Sequence, residues 1–138
     1  MLIFLDANIC LDLLDTTRPT SKKSINWYLK HKDDTDSLFY FSGDFITTFY
    51  YILTEKRKHN PKDTLLAIDA LGDEIKPHYI LHNDFIGAKN QFLDDLFNDF
   101  EDLIILNSAN RLDCDKFITN DKQLQKLNNY LDIEIVSP

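Results

Sequence analysis

The sequence predicts an α/β protein built in three layers, α/β/α, around a mostly parallel central sheet of about five strands. Two observations carry this. Short apolar runs alternate with longer amphipathic segments in the order β-α-α-β-α-α-β-α-α-β-α-β, and parallel neighbours need such helical crossovers. The strand-like runs, such as Leu2 to Leu5, are also continuously apolar rather than alternating, as strands covered on both faces are. At 138 residues, 43% hydrophobic, with 3 Gly and 4 Pro, the chain suits one packed domain over 1–138 and not a disordered polymer.

The elements follow in order. Leu2 to Leu5 is the first strand and stops at Asp6; Asp6 or Asn8 can cap a helix carrying Ile9, Leu11, Leu13 and Leu14. Thr20 or Ser21 opens a second helix to about His31, and Leu38 to Phe41 is the second strand, closed by the turn Ser42-Gly43-Asp44. Phe45, Phe49, Ile52 and Leu53 recur at helical spacing, and the basic run Lys56-Arg57-Lys58 suits the negative end of that helix. Pro61 starts a helix expected to stop near Gly72, before a third strand at Tyr79-Ile80-Leu81. Asn83 is expected to cap the next helix, and the acids Asp99, Glu101 and Asp102 open another that runs to Leu112. Lys116 to Thr119, Asp121 to Leu127 and Ile133 to Val136 read as strand, helix and strand.

Composition narrows the function. With 15 basic and 23 acidic residues the net charge is −8, which argues against bulk electrostatic coating of nucleic acid. It does not exclude a nuclease, because an enzyme using divalent ions concentrates carboxylates in its cleft. Cys10 and Cys114 have no CxxC partner and are expected to be reduced core thiols. No apolar run reaches a membrane span and no secretion signal is legible, so a cytoplasmic location with no membrane partner is expected. His31, His59, His78 and His82 are read as bystanders, and Asp12, Asp15, Asp94, Asp95 and Asp99 as solvated acids.

Ligands of open parallel sheets bind where strand carboxyl ends converge, at the point where strand order reverses. Three acids belong at that level: Asp6 after the first strand, Asp121 after the fourth, and Asp102 at the head of the helix leading into the fourth. Each alone could merely cap a helix. If the first and fourth strands are neighbours, the three share one pocket, and crowded carboxylates call for Mg²⁺ or Mn²⁺, hard ions that prefer all-oxygen ligands. Metal-assisted phosphodiester hydrolysis, with water as nucleophile, is then the reaction class.

Three segments, in this order, resemble the PIN-domain nuclease family and in particular the VapC-type toxin ribonucleases. They are Leu2-Ile3-Phe4-Leu5-Asp6-Ala7-Asn8; Phe100-Glu101-Asp102-Leu103-Ile104 running to Ser108-Ala109; and Ile118-Thr119-Asn120-Asp121 with the final strand. The resemblance spans nearly the whole chain and implies a PIN-like fold. It implies a Mg²⁺- or Mn²⁺-dependent endoribonuclease for single-stranded RNA, with Asp6, Asp102 and Asp121 as catalytic metal ligands and Asn8 and Thr119 as supporting polar residues. A protein antitoxin, a homodimer and no DNA specificity are further expectations of the same kind.

One position departs from the pattern. Where the family usually has Glu, six residues after the strand-end Ser42, this chain has Thr48. Asp44, one helical turn earlier, or Glu101, beside Asp102, would have to compensate; otherwise the chain is a weakened RNA- or protein-binding module. Tyr50, Tyr51, Lys56, Arg57 and Lys58 could contact RNA, although core or interface packing of the tyrosines and a solvated basic helix end are preferred. A haloacid-dehalogenase-type phosphatase would need Asp at Asn8, and a receiver domain a Lys where Ser137-Pro138 stands.

Overall fold

In the computed structural model, which describes residues 1–138, side chains of β1 (Leu2–Leu5) point alternately into two cores. Ile3 and Leu5 enter one with α1 (Ala7–Leu14), α2 (Ser21–His31), α3 (Ile46–Tyr51) and α4 (Pro61–Glu74). Phe4 enters the other with α5 (His82–Leu93), α6 (Phe100–Arg111) and α7 (Lys122–Gln125). The remaining strands are β2 (Leu38–Ser42), β3 (Lys76–His78), β4 (Lys116–Ile118), β5 (Asn129–Tyr130) and β6 (Ile133–Val136). The period of two along β1 therefore builds the three layers. Phe4 stacks on Phe117 of β4, while Ile118 faces the opposite core. Cys10 and Cys114 are buried free thiols, as expected.

The strand order is β3-β2-β1-β4-β6-β5, with every pair parallel except β5 with β6. From β1 the chain moves outward through β2 and β3, then returns to lay β4 on the other side of β1. The carboxyl ends of β1 and β4 thus form the topological switch point. The sheet has six strands rather than about five, because the two-residue β5 joins β6 through Leu131 and Asp132 and is too short to leave a periodic signal.

Three further expectations need correction. The third strand lies at 76–78, not at Tyr79-Ile80-Leu81, because α4 continues past Gly72 to Glu74 and Lys76 immediately pairs with Tyr40. Pro77 is tolerated there since β3 is an edge strand. The cap of α5 is accordingly Leu81, whose N–H donates to Asp84 Oδ2 at 2.8 Å, rather than Asn83. The helix expected from Phe45 is broken into a 3₁₀ turn at Gly43–Phe45, α3, and a π turn at Ile52–Lys56.

Asp12 and Asp15 are buried, not solvated. The π turn delivers Arg57 to Asp15, Nε to Oδ2 at 2.7 Å, with Thr17 donating to the same carboxylate from N and Oγ1. Burial alone would raise this carboxyl, but the Thr17 hydrogen bonds and Arg57 outweigh it and hold it at about 2. Arg57 is therefore a structural counter-ion, whereas Tyr51 stays exposed with Lys56 Nζ 6.0 Å from its ring centre. A carboxyl lowered on folding stabilises at pH values above its unfolded pKa, and that contribution is lost as pH falls through about 2. Arg57→Met is expected to cost about 2 kcal/mol at pH 7 by leaving the buried Asp15 charge without its arginine counter-ion. Urea unfolding should show the difference from wild type narrowing as pH drops from 4 to 2.

Candidate active site

β1 and β4 are neighbours, with Leu5 opposite Ile118, so the turns that follow them lie side by side. Asp6 N donates to Ile118 O at 2.9 Å, closing the sheet at the level where both strands end. Asp6 then caps α1, its Oδ1 accepting from Ala7 N at 2.7 Å. The Oδ2 atom faces across to the other turn, accepting from Thr119 Oγ1 at 2.7 Å and Asn8 Nδ2 at 3.1 Å. Asn8 Nδ2 also reaches Thr119 Oγ1, and Asn8 Oδ1 accepts from Asn120 N at 3.0 Å. Thr119 Oγ1 in turn accepts from Asp121 N at 3.0 Å. Asn8 and Thr119 thus lace the two turns together.

Asp121 caps α7, its Oδ1 accepting from Gln123 N and Leu124 N, while its Oδ2 accepts no hydrogen bond. Asp102 lies in the first turn of α6, where Asp99 is the cap and accepts from Asp102 N at 3.1 Å. The Asp102 carboxylate accepts no hydrogen bond and joins no ion pair. The buried and half-buried acids therefore divide into two kinds. Asp12, Asp15 and Asp84 each meet an arginine, Arg18, Arg57 and Arg111 respectively. Asp6, Asp102 and Asp121 meet none.

Charge crowding follows from that difference. Burial, then the neighbouring charges of Asp6, Asp99, Asp121 and Glu101, push the Asp102 carboxyl up to about 7. Burial also raises Asp6, against the pull of its Thr119, Ala7 and Asn8 hydrogen bonds, with Asp121 adding repulsion. No three carboxylates are gathered closely enough to hold an ion without adjustment. The donor chemistry nevertheless fits a hard divalent cation: oxygen atoms only, hydrogen-bond capacity unused on Asp102 and Asp121, and no cation of the protein's own.

The other expected residues are placed less centrally. Glu101 is exposed beside Asp102. Asp44 sits in the 3₁₀ turn before α3, not on an α-helical face with Thr48, and its Oδ2 accepts from Ser42 Oγ and Ile80 N. It ties β2 to the segment after β3, and its charge registers at His78 rather than at the acid cluster. Thr48 is exposed on α3 and supplies no charge. Sequence reading missed Asp12, a fully buried hub that accepts from Arg18 Nε, Thr20 Oγ1, Ser24 Oγ and Asn120 Nδ2. The available signal was an acid inside the apolar helix Ile9–Leu14, one turn after Asn8.

The PIN-domain family model matches residues 3–130. The chain belongs to the PIN-domain family. No curated protein matches it in sequence. Solved structures similar to this PIN domain include VapC20 of Mycobacterium tuberculosis, described as a sarcin-ricin loop cleaving toxin, at 10% identity and TM-score 0.72 over 96% of this chain and 98% of that one. VapBC2 of Rickettsia felis bound to a DNA fragment from its promoter gives 12% identity and TM-score 0.68 over 100% and 99%. VapBC-1 of nontypeable Haemophilus influenzae gives 22% and 0.64 over 99% and 98%. At these identities the likeness is one of fold, and it extends along nearly the whole of each matched chain.

The raised Asp102 has a thermodynamic consequence. The unfolded chain releases that proton near its ordinary 3.8, the folded PIN domain near 7, so this group's contribution to stability falls between those values and is lowest above them. Without divalent ions, Asp102→Asn is expected to raise Tm at pH 8 by about 2–5 °C while changing it little at pH 4. Thermal melts at the two pH values check this, and equal shifts at both would contradict the crowding.

Proposed function

We propose that this PIN domain is a Mg²⁺- or Mn²⁺-dependent endoribonuclease that hydrolyses single-stranded RNA, and that it is the toxin of a toxin–antitoxin pair. One observation supports this above the rest: at the sheet's switch point two interlocked turns present Asp6 and Asp121 beside Asp102, without a basic partner. Family membership and the likeness to the toxin structures support nuclease activity, and the VapBC structures of R. felis and H. influenzae support an antitoxin partner.

Each residue has a definable task in this reading. Asp6, held in one orientation by Ala7 N, Asn8 and Thr119, together with Asp102 and Asp121, would hold the cation. A divalent ion bound there would supply electrophilic stabilisation of phosphate and a more acidic water. Asn8 and Thr119 orient oxygen atoms without adding charge, and Glu101 keeps the local field negative. Since the Asp102 carboxyl sits at about 7 in the absence of a cation, cation binding should compete with protons near neutrality. A cytoplasmic protein that forms a homodimer completes the proposal; no helix is long and apolar enough to cross a membrane.

The exposed Thr48 favours one rival, a non-catalytic binding module on the same fold. Titration calorimetry of Mn²⁺, with cleavage of single-stranded RNA assayed on the same samples, separates the two. Wild type is expected to bind and cleave, and Asp6→Asn to lose at least about tenfold in affinity, or ~1.4 kcal/mol, and nearly all cleavage. Binding without cleavage in the wild type would favour the rival. Thr48→Glu, which adds a carboxylate at the family's usual place, is expected to tighten Mn²⁺ binding about tenfold; unchanged affinity would show that this position does not face the ion.

A further inference from the structure

Helix α2 carries a groove whose charge is opposite to that of the acid cluster. An open groove of about 570 Å³ is lined by Pro19, Lys22, Lys23, Asn26, Trp27, Lys30 and Pro138. In a chain of net charge −8 it is the one groove with no Asp or Glu side chain; each of the other three contains at least one. Lys22, Asn26 and Lys30 repeat every four residues along one face of α2, covering roughly 12 Å, a few nucleotides of single strand.

Hydrogen bonds tie the helix that carries this groove to the end of β6 and to the turn that carries Asp121. Lys23 Nζ donates to Ser137 Oγ at 3.0 Å, just beyond β6. The adjoining Ser24 Oγ accepts from Asn120 Nδ2 at 3.1 Å, and Asn120 precedes Asp121. Trp27 is half-buried and braced, stacked on His31 at 4.3 Å and edge-on to Phe39 at 6.3 Å, so its indole is held still before any ligand arrives. A fixed aromatic face among lysines suits stacked bases and their phosphates. Three of its lining side chains are lysines with no acid among them, whereas the mostly aliphatic groove between α1, α2 and α4 has only Lys32 and Glu74 as charged members.

We propose that the Lys22, Lys23, Lys30 and Trp27 face of α2 is a strand-guiding subsite for single-stranded RNA, the lysines holding phosphates and Trp27 stacking a base as the strand leaves the acid cluster. This deepens the ribonuclease reading and rests on it.

Trp27 is the only tryptophan in the chain, so its emission reports on this groove alone. The test titrates a 12-nucleotide oligouridylate into the full-length protein in EDTA, following tryptophan emission and oligonucleotide anisotropy across a salt series. Mn²⁺ binding is measured in parallel. Wild type is expected to quench on binding. The triple variant Lys22→Gln/Lys23→Gln/Lys30→Gln should bind at least about tenfold more weakly, with a log-log salt slope shallower by about 2, as three lost phosphate contacts on a single strand require. Lys30→Gln alone should lower the slope by about 0.7, which keeps the test decisive if the triple variant unfolds. Oligouridylate binding with unchanged tryptophan emission, or with the same slope in the variants, would overturn the subsite while leaving the ribonuclease reading intact. Quenching by polyglutamate but not by oligouridylate would assign the groove to an acidic protein and overturn it as well. Failure of the wild type to bind either Mn²⁺ or oligouridylate would overturn both.

Discussion

The Asp6 Oδ2–Thr119 Oγ1 hydrogen bond, 2.7 Å long, joins residues 113 positions apart and holds the molecule's working end together. It forms because β1 and β4, distant in sequence, are parallel neighbours, so the turns leaving them meet side by side. Asn8 extends the lacing, donating to both Asp6 and Thr119 and accepting from Asn120. Most of the hydrogen-bonding capacity of these polar groups is spent on each other. What remains open, an oxygen of Asp121 and the Asp102 carboxylate, is what the site can offer a ligand.

The placement of basic residues explains why those carboxylates remain open. Arginine is used where an acid must be buried for architecture: Arg18 on Asp12, Arg57 on Asp15 and Arg111 on Asp84. Arg18 joins the segment before α2 to α1, Arg57 joins the end of the π turn to the residue after α1, and Arg111 ties α6 to α5. At the switch point the chain supplies only neutral donors, which orient carboxylates without cancelling their charge. Stability is lost locally as a result, seen in the raised Asp102. The three lysines of the α2 groove stay out of the cluster, so basic and acidic groups are kept apart on the surface.

Where sequence patterns were followed by structure, the local signal was strong and agreed with the tertiary context. The run Leu2–Leu5 followed by Asp6 fixes both a buried strand and a helix cap, and Thr119-Asn120-Asp121 does the same after β4. The pattern misled where context overrode it. Gly72 is a plausible helix stop, yet α4 continues because Leu71 has a buried place against β2 and Ile75 follows it into the same core. Tyr79-Ile80-Leu81 has strand composition, but pairing begins three residues earlier and leaves Tyr79 lying over Gly43. Asp12 and Asp15 look like surface acids because a sequence shows no partners: Arg57 reaches Asp15 only through the π turn, and Asn120 reaches Asp12 only across the sheet.

The sequence by itself determined the α/β class, the near-complete order of strands and helices, and the residues at the ends of β1 and β4, because hydrophobic period and capping chemistry are local properties. It also determined that Thr48 brings no charge to α3. Only the tertiary structure decided that β1 and β4 are adjacent, that Asp44 is engaged with Ile80 rather than with the acids, and which carboxylates found an arginine. Those outcomes depend on contacts between segments far apart in the chain, where strand order and the path of each loop, not the identity of a residue's neighbours in sequence, set the electrostatic environment.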